Sequence, residues 1–571
     1  MYVERGVSQV LFGFLPEQTV DLRGGVWVVE EWRSPVRIDV PNVDVLRREL
    51  RRAVAPWAQR GNDGGLREQL DARTLAIEVV EPDQDRGVRV VPFPRLWRCS
   101  ACGRVHKKKR GCPCGAGQSE LRQLPFVAYH SCGFLGEPHV PTCKTHRDVA
   151  MTLPHTTRIS EVRFHCPVCQ RPLGTGLVRR CKCGAGGGVS VNVHRAGDVF
   201  SPHYVVVLNP HGAASQDRAA STVSWAMEGG LGRARPASVA DLVQNLRSSG
   251  LSEETVREMV EVARRTGEVS EEPGETQVLR LLEGLGDAAR NEVMEQSATM
   301  HGLVETGRTT LADLEEAADP LRQLVYRTHY RKAVDESGLR RDAGVQLLTK
   351  LPVLTAAFGY TRDEGEVGSA QLKVYRSPAA GRPTIRLYGL QRSTEALVFW
   401  LDPVRVSDWL ARRGLLPSRP GPTSPRDAHE RILASTRIPA WPGDDCDDGG
   451  RAVATLVHSY CHRAIRRLSP LAGVERESLA EYLFPHLLAF VVYAAPRGEF
   501  VLGGLQTVFE TSLHEFLHEL VHGERRCPLD PACRSQTGAC MACLHLGEPS
   551  CRWYNTLLDR SVLFGPEGYL G

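Results

Sequence analysis

A cysteine pattern that occurs twice between residues 99 and 183 constrains the fold of this chain most, because ten of its 17 cysteines lie there. Each copy has a Cys-x-x-Cys pair that is followed, after nine or eleven intervening residues, by Cys-x-Cys-Gly-Ala-Gly. Two close pairs of thiolates suit a tetrahedral zinc ion, since two tight turns can direct four sulfur atoms at one point. The pattern predicts two structural zinc ribbons, with disulfides or free thiols as the alternative. The expected ligands are Cys99, Cys102, Cys112 and Cys114 in the first ribbon, and Cys166, Cys169, Cys181 and Cys183 in the second.

Possible ligands of a further zinc lie between the two copies, but their spacing is less regular. They are His130, Cys132, His139, Cys143 and His146. Cys143-x-x-His146 has the spacing of a ligand pair, and His130-x-Cys132 could supply the other half of a site. Buried thiols with exposed imidazoles are the alternative, because histidine is common at protein surfaces and needs no metal. No open catalytic zinc is implied, since each ribbon already has four sulfur ligands.

Both ribbons carry basic residues between their cysteine pairs. They are Lys107, Lys108, Lys109 and Arg110 in the first ribbon, and Arg179 and Arg180 in the second. A cationic loop held by zinc can contact phosphate groups, and each neutralised phosphate adds affinity through counterion release. The whole chain has a net charge of only +4, so the expectation of DNA contact rests on these local groups. Solubility is the alternative explanation.

A second group of cysteines lies near the carboxyl end of the sequence. It contains Cys527, Cys533, Cys540, Cys543 and Cys551. The spacing predicts one more four-sulfur zinc site, with Cys540, Cys543 and Cys551 as the expected ligands, while Cys527 and Cys533 compete for the fourth position. The sequence therefore predicts three zinc ions, or four if the residues between the ribbons bind one.

The segment His514-Glu515-Phe516-Leu517-His518 matches the zincin motif, in which two histidines on one helical face bind zinc and the glutamate acts as general base. No third ligand follows at the zincin spacing, and His522 extends the same helical row. We therefore interpret the segment as a structural helix whose histidine row lies opposite Phe516 and Leu520. A zinc-dependent hydrolase that uses His514, Glu515 and His518 is the alternative function.

The length of 571 residues is too great for one hydrophobic core, and the character of the sequence changes along the chain. These changes predict an α+β multidomain protein. The expected segments are 1–98 (mixed α/β), 99–205 (tandem zinc ribbons), 206–345 (a helical insertion or arm) and 346–571 (an α/β region closed by a cysteine-rich zinc knob).

Targeting and nucleotide-binding signals are missing from the sequence. It begins without a cationic leader before an apolar run, and no stretch approaches the ~20 apolar residues of a membrane span. We therefore expect a reducing, cytoplasmic location and no membrane association. No Gly-x-x-x-x-Gly-Lys-Ser/Thr loop occurs, so we expect no ATP hydrolysis by this chain alone.

Short motifs in both halves of the chain form a recognisable set. In the amino-terminal half they are Arg5-Gly-Val-Ser8-Gln9, Phe93-Pro94-Arg95 and Leu124-Pro-Phe-Val127. In the carboxyl-terminal half they are His458-x-x-x-His462, Val492-Tyr493, Gly503-Gly504-Leu505, Cys540-x-x-Cys543-x7-Cys551 and Asn555 to Asp559-Arg560. This set resembles the DrmB family of the DISARM antiphage system, whose core domain also ends MrfA-type helicases. Two departures are Cys132-Gly-Phe134, where the family usually has Cys-Gly-His, and Gly13 to Gln18, which replaces a glycine-rich element.

The resemblance implies a non-catalytic, zinc-binding subunit of an antiphage defence complex. It also implies a partner, a Swi/Snf-type (DrmA-like) DNA helicase that supplies the ATPase activity, and recognition of phage DNA through the complex. The resemblance covers roughly residues 1–205 and 347–571, and the helical middle of the chain is unmatched.

Overall fold

The computed structural model divides the chain into two compact units. The first contains Met1–Val207 and Leu354–Gln391, and the second contains Leu208–Val353 and Arg392–Gly571. Both contain sheets and helices, so the predicted mixed α+β class is confirmed, while the four-segment division stays a prediction. Among the described residues, no helix has the length and apolar character needed to cross a membrane. The described residues are 1–22, 24–40, 43–83, 85–109, 111–153, 158–177, 181–183, 188–208, 219–230, 239–266, 274–304, 307–377, 382–417, 421–495, 503–536, 538–547 and 550–571.

The strands are short in the first 200 residues, and two strands of 17 residues follow in the second half of the chain. They are β1 (Tyr2–Val3), β2 (Thr19–Leu22), β3 (Gly25–Trp32), β4 (Val36–Arg37), β5 (Ala76–Glu81), β6 (Val88–Pro92), β7 (Trp97–Cys99), β8 (Val105–His106), β9 (Leu121–Gln123), β10 (Phe126–Tyr129), β11 (Leu135–Gly136), β12 (Ala150–Thr152), β13 (Arg163–His165), β14 (Pro172–Thr175), β15 (Ser190–Val193), β16 (Ser201–Leu208), β17 (Arg308–Thr309), β18 (Val345–Thr361), β19 (Lys373–Val374), β20 (Thr384–Trp400), β21 (Leu479–Phe484) and β22 (Ala489–Ala494).

Most of the helices belong to the second unit. The α-helices are α1 (Val7–Gly13), α2 (Val43–Gln59), α3 (Leu66–Asp71), α4 (Ala219–Met227), α5 (Val239–Ser248), α6 (Glu253–Thr266), α7 (Gly274–Gly284), α8 (Asp287–Val304), α9 (Leu311–Ala317), α10 (Pro320–Val325), α11 (Arg331–Glu336), α12 (Pro403–Arg412), α13 (Pro425–Ser435), α14 (Asp448–Ala472), α15 (Gly504–Thr507), α16 (Leu513–His522) and α17 (Ala532–Gln536).

In the first unit, residues 354–361 of β18 and 384–391 of β20 form the centre of a sheet that β16 and β5 extend. β5 is parallel to β20, so that Ala76 lies opposite Thr384. α2 packs on this sheet because Leu46, Leu50 and Val54 recur at helical spacing and form one apolar stripe.

The region that follows α3, up to β16, contains three small antiparallel sheets, with the strand orders β8-β7-β9, β11-β10-β15 and β12-β13-β14. Strands of two to four residues bury little apolar surface by themselves. One shared core contains Leu96, Leu124, Met151, Phe164 and Leu177. A region with so small a core is the kind that metal binding stabilises.

The second unit is built around α14, whose residues from Ala452 to Ile465 are all buried. Its partners include β22, which is antiparallel to both β20 and β21. Asp447 caps the amino end of the helix, and its side chain accepts a hydrogen bond from the Gly450 N–H. Glycine is required at 450, because a Cβ there would lie 1.9 Å from the Arg437 carbonyl oxygen. This buried helix positions two histidines that are described below.

Candidate metal centres

The first cysteine site contains Cys99, Cys102, Cys112 and Cys114, as the sequence predicts. The four sulfur atoms lie within 4.8 Å of one another. Cys99 Sγ is 3.8 Å from Cys114 Sγ, and Cys102 Sγ is 3.4 Å from Cys112 Sγ. These separations suit four ligands around one zinc ion.

Two tight turns direct the sulfur atoms of the first cysteine site. In the first turn, Gly103 N donates to the Cys99 carbonyl at 2.9 Å, and Gly103 has a φ of 73°, which favours glycine. In the second, Gly115 N donates to the Cys112 carbonyl at 2.9 Å, with a φ of 92°. Burial raises the pKa of the Cys112 thiol to about 12. A bound cation would reverse this effect, because a coordinating thiol is deprotonated.

The nested site contains Cys143, His146, Cys166 and Cys169, whose ligand atoms also lie within 4.8 Å of one another. His146 Nδ1 is 3.6 Å from Cys143 Sγ and 3.5 Å from Cys166 Sγ. Hydrogen bonds from the backbone N–H of His146 lower the pKa of Cys143 to about 6, because they favour the thiolate. A thiolate beside a neutral imidazole is a ligand pair for zinc.

Strand pairing brings the two halves of the nested site together. β12 and β13 are antiparallel, with Ala150 opposite His165. The chain enters β12 just after His146 and leaves β13 at Cys166, so both ligand pairs lie at the same end of the two strands. Nineteen residues lie between His146 and Cys166 in the sequence, and the pairing of the two strands brings these ligands together.

The outer site contains His130, Cys132, Cys181 and Cys183. Cys132 Sγ lies 3.6 Å from Cys181 Sγ, and Cys183 Sγ lies 3.6 Å from His130 Nδ1. His130 is buried, and burial raises the pKa of Cys132 to about 11. The outer site encloses the nested site in the sequence, because its two pairs precede and follow those of the nested site.

The expected second ribbon thus differs from the structure in how its ligands are combined. Cys166 and Cys169 lie with Cys143 and His146, while Cys181 and Cys183 lie with His130 and Cys132. The physical reason is β14, which runs antiparallel to β13 and carries the chain away from Cys169. All four cysteines expected in the second ribbon belong to metal-compatible groups. The remaining ligands of these two groups come from the residues between the two cysteine repeats. His139, from that set, belongs to neither group.

The carboxyl-terminal site contains Cys527, Cys533, Cys540 and Cys543. Cys540 Sγ lies 3.5 Å from Cys527 Sγ and 3.7 Å from Cys543 Sγ. Hydrogen bonds outweigh partial burial and lower the pKa of Cys540 to about 7. Both cysteines that competed for the fourth position are therefore present, and Cys551 lies elsewhere.

Cys551 belongs instead to a buried tetrad with His458, His462 and Glu481. His458-x-x-x-His462 was recognised only as one of the motifs of the family resemblance, and Glu481 was not among the expected ligands. A signal was available, because Glu481 is the lone charged residue in the apolar strand β21, Leu-Ala-Glu-Tyr-Leu-Phe. Several groups of the described residues, four of them rich in cysteine, could therefore hold zinc.

The histidines of the zincin-like segment lie on α16 and have other neighbours. Phe516 and Leu520 are buried, and His518 and His522 are exposed, as the helical row predicts. The His514 ring stacks on Tyr330 with 5.1 Å between the ring centroids, and the His518 ring lies 4.7 Å from that of His522. Within the described part of the chain, these residues are not members of a metal-compatible group.

The ribbon region, residues 99–205, is strongly basic. It carries 15 lysine and arginine residues against 5 aspartate and glutamate residues, a net charge of +10, whereas the remainder of the chain has a net charge of −6. Lys107, Lys108 and Lys109 follow β8 and are exposed, and they form no ion pair in the described part of the chain. Arg110, Arg179 and Arg180 lie outside the described residues.

One comparison with known proteins covers much of the ribbon region. Residues 6–186 match the model of a family described as a domain of unknown function, DUF8724. The chain is also similar to a DISARM protein. It is 25% identical over 195 residues to the DISARM protein DrmB of Bacillus paralicheniformis, and the match covers 32% of each chain. The chain thus aligns with about a third of the length of that curated relative, and this similarity supports a DrmB-like relationship.

Proposed function

We propose that this protein is a non-catalytic, zinc-binding subunit of a bacterial antiphage defence complex. In this complex it partners a DrmA-like DNA helicase and helps to bind foreign DNA. The similarity to a DISARM protein supports the defence role. The sequence contains no phosphate-binding loop, so the ATPase activity belongs to the partner.

The observation that carries the DNA-binding role is the charge of the ribbon region. Its net charge of +10 contrasts with the −6 of the remaining residues, and the three exposed lysines Lys107 to Lys109 lie next to one another. A local excess of cations attracts the phosphate backbone and supplies affinity that does not depend on base sequence. Cations that already have a partner contribute less, as does Arg104, whose Nε lies 2.9 Å from Asp148 Oδ2.

Zinc binding leaves this excess of positive charge in place. Three zinc ions and the ten thiolates of the first cysteine, nested and outer sites would together add a net charge of −4. The ribbon region would then retain a net charge of +6. The metal ions would also hold Lys107 to Lys109 on a short loop between two ligand pairs, which lowers the entropy cost of ordering them on DNA.

The four cysteine-rich sites suit structural zinc, since each already supplies four protein ligands and leaves no position for water. A catalytic zinc would need such an open position. The sites therefore fit a subunit in which zinc stabilises the fold of a binding surface. In the proposed complex, the partner subunits catalyse the reactions that restrict phage DNA.

A phage challenge tests the proposal. Cells that carry the gene with its neighbours are compared with cells in which Lys107, Lys108 and Lys109 are replaced by alanine. We expect the triple variant to lose protection by at least tenfold in plaque number while the tagged protein still co-purifies with a helicase. A control variant with Arg257, Lys332 and Lys350 replaced by alanine, which removes the same charge elsewhere, should retain protection. Equal protection by both variants would contradict the proposed role of the lysines.

A further inference from the structure

A second kind of metal-compatible group lies in the second unit, and its ligand set differs from those of the cysteine-rich sites. We propose that His458, His462, Glu481 and Cys551 bind one zinc ion as a closed structural centre. The proposal depends on neither DNA binding nor the defence role, so its failure would leave both untouched.

The four side chains come from three separate parts of the chain and meet inside the unit. His458 and His462 are four residues apart on α14 and share one face of it, Glu481 lies on β21, and Cys551 lies in the segment after the carboxyl-terminal site. Their exposed fractions are 0%, 0%, 2% and 3%. Ionisable groups are rarely buried this completely unless they are paired or bound to a metal.

The distances between the ligand atoms fit the edges of a zinc tetrahedron. Bond lengths of about 2.0–2.3 Å place tetrahedral ligands about 3.3–3.8 Å apart. His458 Nε2 lies 3.4 Å from Cys551 Sγ and 3.3 Å from Glu481 Oε1, while His462 Nε2 lies 3.2 Å from the other carboxylate oxygen, Oε2, so the Glu481 carboxylate faces both imidazoles. All four ligand atoms lie within 4.8 Å of one another.

A network of hydrogen bonds between acid and imidazole is the alternative explanation, and the geometry opposes it. His462 Nδ1 lies 2.9 Å from the Leu544 carbonyl and must donate to it, so a neutral ring presents the Nε2 lone pair to Glu481. Neither His462 Nε2 nor Glu481 Oε2 has a hydrogen-bond partner among the described residues. Two buried acceptors that face each other repel unless a cation lies between them.

Neighbouring groups support the side chains in the way that is usual around a metal. The Leu544 carbonyl fixes the orientation of the His462 ring, and histidine ligands commonly donate their second N–H in this manner. The N–H of Asn555 points at Cys551 Sγ at 3.1 Å, and the N–H of Arg552 donates to Glu481 Oε1 at 2.8 Å. Both bonds favour the anionic forms that a metal requires.

The ligand set identifies the ion and its role. Two imidazoles, one carboxylate and one thiolate form a borderline donor set of the kind that zinc accepts. One Zn²⁺ with a carboxylate and a thiolate is electrically neutral overall, which suits a site without solvent. With four protein ligands the centre has no open position, so it would fasten α14 to β21 and to the segment that follows the carboxyl-terminal site.

The zinc content of purified, full-length protein tests the proposal. Cys551→Ala should lower the zinc content by one ion per chain. The matched control is Cys461→Ala, since Cys461 is a fully buried cysteine on α14 that is not a member of the tetrad, and it should leave the zinc content unchanged. Equal zinc content in both variants would overturn the proposal.

If the Cys551 variant does not fold, a second measurement on the unaltered protein still tests for zinc at the tetrad. Crystals of the unaltered protein, measured on both sides of the zinc absorption edge, should show an anomalous peak among His458, His462, Glu481 and Cys551. Peaks at the cysteine-rich sites without one at the tetrad would overturn the proposal while leaving the other metal sites intact.

Discussion

Tyr129, the last residue of β10, lies directly opposite Ser190, the first residue of β15, in an antiparallel pair. The chain therefore leaves β10 and enters β15 at the same end of the two strands. His130 and Cys132 follow the first strand, and Cys181 and Cys183 precede the second. This register brings together the two ligand pairs of the outer site, which are about 50 residues apart in the sequence.

The grouping of ligands predicts different effects for two nearby histidines. His146→Ala should remove one zinc ion per chain, because it removes a ligand of the nested site, and should lower the thermal midpoint since structural zinc contributes folding energy. His139→Ala is the control, because His139 is exposed and belongs to neither site. Metal analysis and a thermal melt measure both effects. Loss of zinc from the His139 variant, or its retention in the His146 variant, would show that the grouping is incorrect.

The local spacing of cysteines and histidines allowed the ligand pairs of the ribbon region to be predicted, but not how those pairs combine. A Cys-x-x-Cys or Cys-x-x-His turn is encoded within four residues, so Cys143 and His146 were recognisable. The proximity of Cys166 to Cys143 instead depends on the pairing of β12 with β13. Register of this kind arises from the packing of the whole region, including Met151 and Phe164, and no short motif records it.

Arg362 should be one of the most important single residues for the stability of the first unit. Its side chain is fully buried, and it donates to the carbonyl oxygens of Glu17, Gly133 and Val199. Arg362→Met should lower the free energy of unfolding by about 3 kcal/mol, since three carbonyl acceptors lose their donor and the one at Val199 is buried. Arg376→Met, at an exposed position, is the matched control. Urea denaturation measures the difference, and equal midpoints for the two variants would contradict it.

Acid should destabilise the protein partly through His429. This residue is fully buried, its Nε2 donates to the His486 carbonyl at 2.8 Å, and burial lowers its pKa from 6.5 to about 3. In the unfolded chain, His429 therefore becomes protonated below about pH 6.5. In the folded chain it stays neutral until the pH falls to about 3. Stability from this residue is complete above pH 6.5 and falls by about 1.4 kcal/mol per pH unit below it.

The His429→Gln variant isolates that contribution. Glutamine retains a hydrogen-bond donor but does not titrate, so the free energy of unfolding should fall less steeply between pH 6.5 and 5 than in the unaltered protein. Zinc content is measured at each pH, because thiolate protonation releases metal as well. A slope that matches the unaltered protein would show that His429 is not the group responsible.

The zincin-like segment should not be catalytic. Glu515 is exposed and the ring of His514 stacks on Tyr330, so we expect Glu515→Gln to leave folding, zinc content and phage protection unchanged. Glu519→Gln, one turn further along the same helix, is the matched control. If the Glu515 variant alone loses protection while it remains folded and fully metallated, the zinc hydrolase becomes the better account.

The buried tetrad of the second unit shows where sequence reasoning fails. His458 and His462 were visible as an i, i+4 pair, and Cys551 was assigned to the nearest cysteines along the chain. Its position beside Glu481 follows from the pairing of its segment with β21, where the Glu481 N–H donates to the Ser550 carbonyl, although 69 residues lie between the two ligands in the sequence. A carboxylate in an otherwise apolar strand was the one local sign of such a site.

The salt dependence of DNA binding tests the central claim most directly. Binding of fluorescent duplex DNA is measured by anisotropy over a range of salt concentrations for three proteins: the unaltered chain, the Lys107, Lys108 and Lys109 alanine variant, and the Arg257, Lys332 and Lys350 alanine variant. Each phosphate contact contributes about 0.9 to the slope of log K against log salt, so the first variant should have a slope shallower by up to about 2.7. The second should keep the slope of the unaltered protein. Equal slopes for all three proteins would contradict the claim that the ribbon region contacts DNA.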